Sequence, residues 1–244
     1  MKEVFNKKTL TSLLSNQEDV KDFICKYCSK SFSTEKTLLK HMCVKKKRHA
    51  EKDTIGAKLG FRVFQRFYEL TTASKTPKSQ DQFIDSSYYT SFVKFGRYLV
   101  ELDPIYIDRF IDFVIKNGVK LNDWHKEYVY LAFLEDIFKK EAVESAIERT
   151  VLEMQSWAES NNKQLGEYFK CVTTPEATFK IRAGRISPWV IYLSESGGEL
   201  LSRMSSEQEV LIRSFIDPNA WRVIFMKQPA DVEFVEKLLK DFSI

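Results

Sequence analysis

At 244 residues, 43% of them hydrophobic and 14% aromatic, the chain can bury one large core or a large core beside a small one. No apolar run approaches the ~18 residues of a membrane helix, and the opening MKEVFNKKTL lacks the apolar stretch of a signal peptide, so a cytoplasmic protein with no membrane partner is expected. The formal charge of +4 is unevenly spread: residues 1–70 carry 16 Lys and Arg against 8 Asp and Glu, and the remainder 22 against 26. Attraction to an acidic polymer therefore belongs to the N-terminal end.

Residues 1–22 are polar apart from Leu10, Leu13 and Leu14 and read as an arm or short helix. The next stretch, FICKYCSKSFSTEKTLLKHMCVKKKRH, holds three of the four cysteines and two of the three histidines. That clustering suits a reducing compartment and a metal site better than a disulfide framework. Cys25 and Cys28 stand in C-x2-C spacing, which lets a tight turn present two thiolates to one tetrahedral ion, and His41 follows after 12 residues. Phe23, Phe32 and Leu38 supply apolar positions around these ligands, Ser33 or Thr34 suits a helix cap, and Glu35 suits the first turn. Two residues compete for the fourth ligand. Cys43, in H-x-C, requires the helix to open just after His41, whereas His49, in H-x7-H, requires a loop to swing back; the shorter closure favours Cys43. The plainer alternative is a metal-free helical hairpin with buried thiols.

This pattern resembles the C2H2 zinc finger, here as a C2HC variant, over about a tenth of the chain. The resemblance implies a β-hairpin carrying two cysteines packed on a helix carrying His41, with Phe32 and Leu38 as core and a structural Zn2+. The chain departs from the family where the second histidine belongs: those places hold Lys45, Lys46 and Lys47. If the finger docked as the family does, Thr34, Thr37 and Lys40 would face bases. None of these makes a bidentate base contact, so affinity would rest on phosphates.

Finger and basic connector are expected to occupy 23–52 and a helical domain 53–244, with a possible sub-boundary near 161–172. The segment 56–70 places Leu59, Val63, Phe67 and Leu70 on one helical face, with Lys58, Arg62 and Arg66 as a basic stripe beside it. Lys40, Lys45, Lys46, Lys47, Arg48 and that stripe are the expected phosphate contacts. The stretch 71–86, rich in Thr, Ser and Lys around Pro77, reads as a loop or hinge. Helices are expected over 86–102, from Pro104 to Asn117-Gly118, and from Asp123 onward, the last running unbroken or bending near Lys140. Their dense aromatics fit a core better than a base-stacking surface. RISPWVIYL reads as a strand at about 187–193, bounded by glycines. Further helices are expected after a capping box of Ser205 or Ser206 with Glu209, after Asp217-Pro218, and from Pro229 to Phe242.

Motifs for nucleotide, serine-hydrolase or metalloprotease chemistry are absent, no small-molecule substrate is evident, and carboxylate pairs such as Asp108 with Asp112 or Glu135 with Asp136 are weak grounds for a nuclease. The finger, the Lys/Arg run, GAKLGFRVFQRFYEL, FVKFGRYL and the low glycine content are similar to uncharacterised zinc-finger proteins of T4-like tailed bacteriophages. That resemblance implies a host-cell cytoplasm and a role in phage DNA replication or transcription. The expectation is a mainly α, zinc-stabilised, non-catalytic protein that binds DNA or RNA. Its rival is an adaptor recruiting a replication or transcription protein such as a helicase or polymerase.

Overall fold

The computed structural model describes residues 23–73, 76–242 and 244, so the arm expected at 1–22 lies outside the described residues. Those residues form fifteen α-helices and one two-stranded sheet, a mainly α protein with a small β-hairpin at its N-terminal end. None of these helices is long and apolar enough to cross a membrane. The chain divides into two units: residues up to Thr54 together with Ser79–Ser86, and Ile55–Lys78 together with Ser87–Ile244.

In the first unit, β1 (Phe23–Ile24) pairs antiparallel with β2 (Ser31–Phe32), Phe23 opposite Phe32. Ser29, in the left-handed region at φ 57°, turns the chain between them. Helix α1 (Glu35–Lys40) is capped by Thr34, whose hydroxyl accepts from the Thr37 amide at 3.3 Å, and α2 (Val44–Glu51) is capped by Cys43. The expected loop 71–86 contains helix α4 (Gln80–Asp85), which begins in a Ser79–Gln82 capping box. That S-x-x-Q signal was in the sequence, obscured by the polar run before it.

The second unit opens with α3 (Ile55–Thr71), whose buried residues are Gly56, Ala57, Gly60, Val63 and Phe64; of the expected stripe Val63 is buried and Leu59 and Phe67 are half-buried, so the buried face is turned toward the glycines. The difference has a steric cause. A methyl on Gly96 of α5 (Tyr89–Leu102) would lie 2.2 Å from the Gly56 carbonyl oxygen and 2.6 Å from the Gly60 nitrogen, so the two backbones meet through glycine. Leu70 is left on the exposed side.

Helix α6 (Ile107–Lys116) starts three residues later than Pro104 suggests, because Asp103 and Tyr106 both adopt left-handed backbone. Two contacts hold that loop: Tyr130 donates to the Ala183 carbonyl and accepts from the Ile105 amide, and Arg185 grips the Asp103 carbonyl. The long helical pattern after Asp123 breaks at Glu141 into α7 (Glu127–Lys140) and α8 (Val143–Asn161). Glu141 itself is buried in an ion pair with Arg149. Phe64, Phe92, Phe95, Phe110, Trp124, Tyr130 and Phe133 form a chain of edge-on and tilted rings at 5.0–6.0 Å, so the dense aromatics are mostly core, apart from exposed Tyr88, Tyr106 and Tyr128.

After α9 (Tyr168–Cys171) and α10 (Thr174–Arg182), the strand expected at 187–193 is helix α11 (Pro188–Leu193). Ser187 caps it and Pro188 occupies its first turn, so start signals outweigh β-branched composition. Its Trp189, Val190 and Ile191 are all buried, and a fully buried apolar run carries no period to tell strand from helix. Helices α12 (Glu195–Ser202), α13 (Ser206–Arg213), α14 (Pro218–Lys227) and α15 (Pro229–Asp241) complete the unit. Gln208, not Glu209, closes the capping box of α13.

Candidate metal centre

The hairpin positions the first two donors. Cys25 accepts at its carbonyl from the Ser29 amide and donates its own amide to the Lys30 carbonyl, which bends the chain so that both thiols face one side. His41 ends α1 with an extended backbone (φ −67°, ψ 125°), and the chain re-enters a helix only after Cys43. The helix thus opens where an H-x-C ligand pair requires. Sulfur of Cys25, Cys28 and Cys43 and a ring nitrogen of His41 all lie within 4.8 Å of one another, and Cys28 Sγ stands 3.3 Å from His41 Nε2. A tetrahedral ion with bonds of about 2.3 Å would hold such donors about 3.8 Å apart, so the four need close by no more than about an ångström to bind one. Four donors of this type and spacing could hold a metal ion.

His49 is elsewhere. It lies within α2 with its ring against Tyr27, centroids 4.9 Å apart, and is not part of the cluster. The Phe32 ring packs on His41 at 4.7 Å and fixes the imidazole plane. Phe23, Phe32 and Leu38 are only half-buried and Cys25 is the one buried apolar side chain among the described residues 23–54, so this hairpin and helix have almost no core of their own.

The thiols are electrostatically unequal. Burial opposes charge on Cys25, but the amides of Tyr27 and Cys28 and the neighbouring thiols outweigh it and bring its pKa below the ordinary thiol value. At Cys28 the Lys30 amide favours the thiolate, yet burial and the crowding sulfurs of Cys25 and Cys43 raise its pKa. Three thiolates this close repel one another, and a divalent cation removes that repulsion.

The basic residues divide into engaged and open groups. Lys45 pairs with Asp85 at 2.7 Å, Lys46 donates to the His41 carbonyl at 3.2 Å, and Arg48 donates to the carbonyls of Ile84 and Ser86 at 2.6 and 3.0 Å. Arg62 is bound to both oxygens of Asp108, and Arg66 makes a two-point pair with Asp112 besides a contact to Glu69. Lys40, Lys47 and Lys58 are exposed and form no ion pair among the described residues. Of the stripe expected to track phosphates, Arg62 and Arg66 thus pair with acids of α6 and Lys58 does not. The same pairs account for Asp108 and Asp112, while Glu135 and Asp136 pair with Lys139 and Lys140 one turn on.

Hydrogen bonds from Arg66 hold the Asp112 carboxyl below its ordinary 3.8. A depressed carboxylate adds stability that is present above the unfolded value and lost as pH falls through the folded one. Arg66→Gln should therefore lower stability at pH 7 by about 1 kcal/mol, discounted for partial exposure, and shrink the difference between pH 7 and pH 3 in urea unfolding.

Thr34 and Thr37, the positions a docked finger would turn to bases, spend their hydroxyls locally: Thr37 Oγ1 donates to the Thr34 carbonyl at 2.7 Å and lies 3.0 Å from Thr34 Oγ1. The chain matches no family model, no curated protein and no solved structure, so the two resemblances rest on the motifs themselves.

Proposed function

We propose that Cys25, Cys28, His41 and Cys43 hold a structural zinc ion, and that the module they order binds nucleic acid through its phosphates. Three thiolates and an imidazole in a closed tetrahedral set suit Zn2+, and four protein ligands leave no open position for catalysis. The observation that carries the binding reading is the placement of charge. Residues 23–54 with Ser79–Ser86 hold nine Lys and Arg against five Asp and Glu, a surplus of four equal to the net charge of the whole chain. The module with the metal cluster is thus the basic one, and the rest of the chain is balanced.

Lys40 and Lys47 are the leading phosphate contacts, with Lys45 able to exchange an exposed surface pair for a phosphate. With the hydroxyls of Thr34 and Thr37 engaged, little is left to read bases, so binding should be nearly indifferent to sequence. The test is the affinity of the full chain for random-sequence duplex and single strands over a range of salt. Changing Lys40 and Lys47 together to Gln should flatten the slope of log K against log salt by about two units, and changing Arg62 and Arg66 should leave it unaltered. Binding that is absent or insensitive to salt would overturn the reading.

One observation favours a protein partner instead. Leu39, Met42 and Val44, which bracket the last two ligands, are 71%, 57% and 63% exposed. An adaptor would use such apolar side chains. A replication or transcription protein that co-purifies after nuclease treatment, and is lost on Met42→Glu, would establish that reading.

A further inference from the structure

We infer that metal binding at the cysteine–histidine cluster also holds helix α4 in place, so that metal occupancy and the docking of residues 79–86 are one linked equilibrium. The inference rests on the metal reading and extends it to a segment nearly forty residues beyond the last ligand.

The argument begins with helix α2. Its sequence VKKKRHAE puts three consecutive lysines in its first half with Arg48 directly after them, has no acid in its first turn and buries none of its side chains. Cations at a helix N-terminus oppose the helix dipole, neighbouring lysines repel, and eight residues are too few to be helical alone. What holds this end is Cys43, whose sulfur accepts from the Lys46 amide at 3.4 Å, while Lys46 Nζ reaches back to the His41 carbonyl at 3.2 Å. Both anchors are metal-site residues. A metal bound at Cys43 and His41 would fix both the sulfur that caps α2 and the carbonyl that Lys46 reaches; without metal neither anchor is tied in place.

Helix α4 depends on α2 in turn. Six residues long, it too cannot stand alone: it buries Phe83 and Ile84, and its C-terminal end leans on α2. Its last-turn carbonyl of Ile84 and that of the cap Ser86 are both taken by Arg48, and Asp85 is taken by Lys45, so α2 satisfies the C-terminal end of α4. The order of dependence runs from metal to Cys43, from Cys43 to α2, and from α2 to α4. The chain leaves this unit at Thr54 and returns at Ser79, so loss of metal would free the return as well as the hairpin.

Amide hydrogen exchange of the full chain, zinc-loaded and chelated, tests this with α2, α4 and α8 as reporters. Chelation should speed exchange in α2 and α4 together and leave α8 unchanged. Arg48→Gln should speed exchange in α4 about tenfold, the loss of roughly one charge-assisted hydrogen bond, with zinc content unchanged. If α2 loses protection on chelation while α4 keeps it, or if Arg48→Gln leaves α4 as slow as before, the linkage is wrong and the metal reading survives. If neither α1 nor α2 responds to chelator, or no metal is held, the metal reading itself fails and the linkage with it.

Discussion

Gly96→Ala is expected to destabilise the helical unit by about 3 kcal/mol or more, among the largest effects of any single methyl added to this chain. The new carbon would sit 2.2 Å from the Gly56 oxygen and 2.6 Å from the Gly60 nitrogen, and both are backbone atoms that no rotamer change can move aside. Relief requires α3 and α5 to separate, which opens contacts of Val63, Phe64, Phe92 and Val93, all buried. Gly198, inside α12, is the control: nothing lies within 4 Å of its added carbon, so Gly198→Ala should be neutral or stabilise by about 0.5–1 kcal/mol through helix propensity. Urea unfolding of both variants followed by circular dichroism measures the contrast. Equal midpoints for Gly96→Ala and the parent would refute the close approach.

That contrast also shows what a single sequence conveys. The helical class was legible because caps and periodicity agree over long stretches: Asp217-Pro218 starts α14, Gly118 at φ 62° follows the end of α6, and Asn162 in left-handed backbone closes α8. The buried face of α3 was not, because glycine contributes nothing to an apolar count and reveals its role only when a second helix lies against it. Nor was the helix at 188–193, where burial on every side removes periodicity. The four clustered donors were readable because metal geometry constrains local spacing, and two of their three separations fall within short turns. The partners of Arg62 and Arg66 were not readable: Asp108 and Asp112 lie 46 residues away, and a stripe of arginines has the same sequence signature whether it faces phosphate or carboxylate.

Cys43→Ser is expected to reduce zinc retention by orders of magnitude, whereas His49→Ala should leave it nearly unchanged. Structural zinc sites of this ligand class contribute about 10–16 kcal/mol of apparent binding energy at pH 7, and losing one of four ligands forfeits a large share. A serine hydroxyl can take over the cap that the Cys43 sulfur gives the Lys46 amide, so this substitution tests the metal bond and not the cap. His49 merely packs on Tyr27. Because the hairpin buries only Cys25 among its apolar side chains, Cys25→Ser or His41→Ala should unfold the described residues 23–54 as a whole. The helical unit, with its own aromatic core, should keep its separate melting transition. Metal analysis of protein purified without chelator, paired with calorimetry of each variant, reads both effects. Zinc content below one ion per chain in the parent, greater loss with His49→Ala than with Cys43→Ser, or collapse of the helical transition in Cys25→Ser would each contradict this assignment.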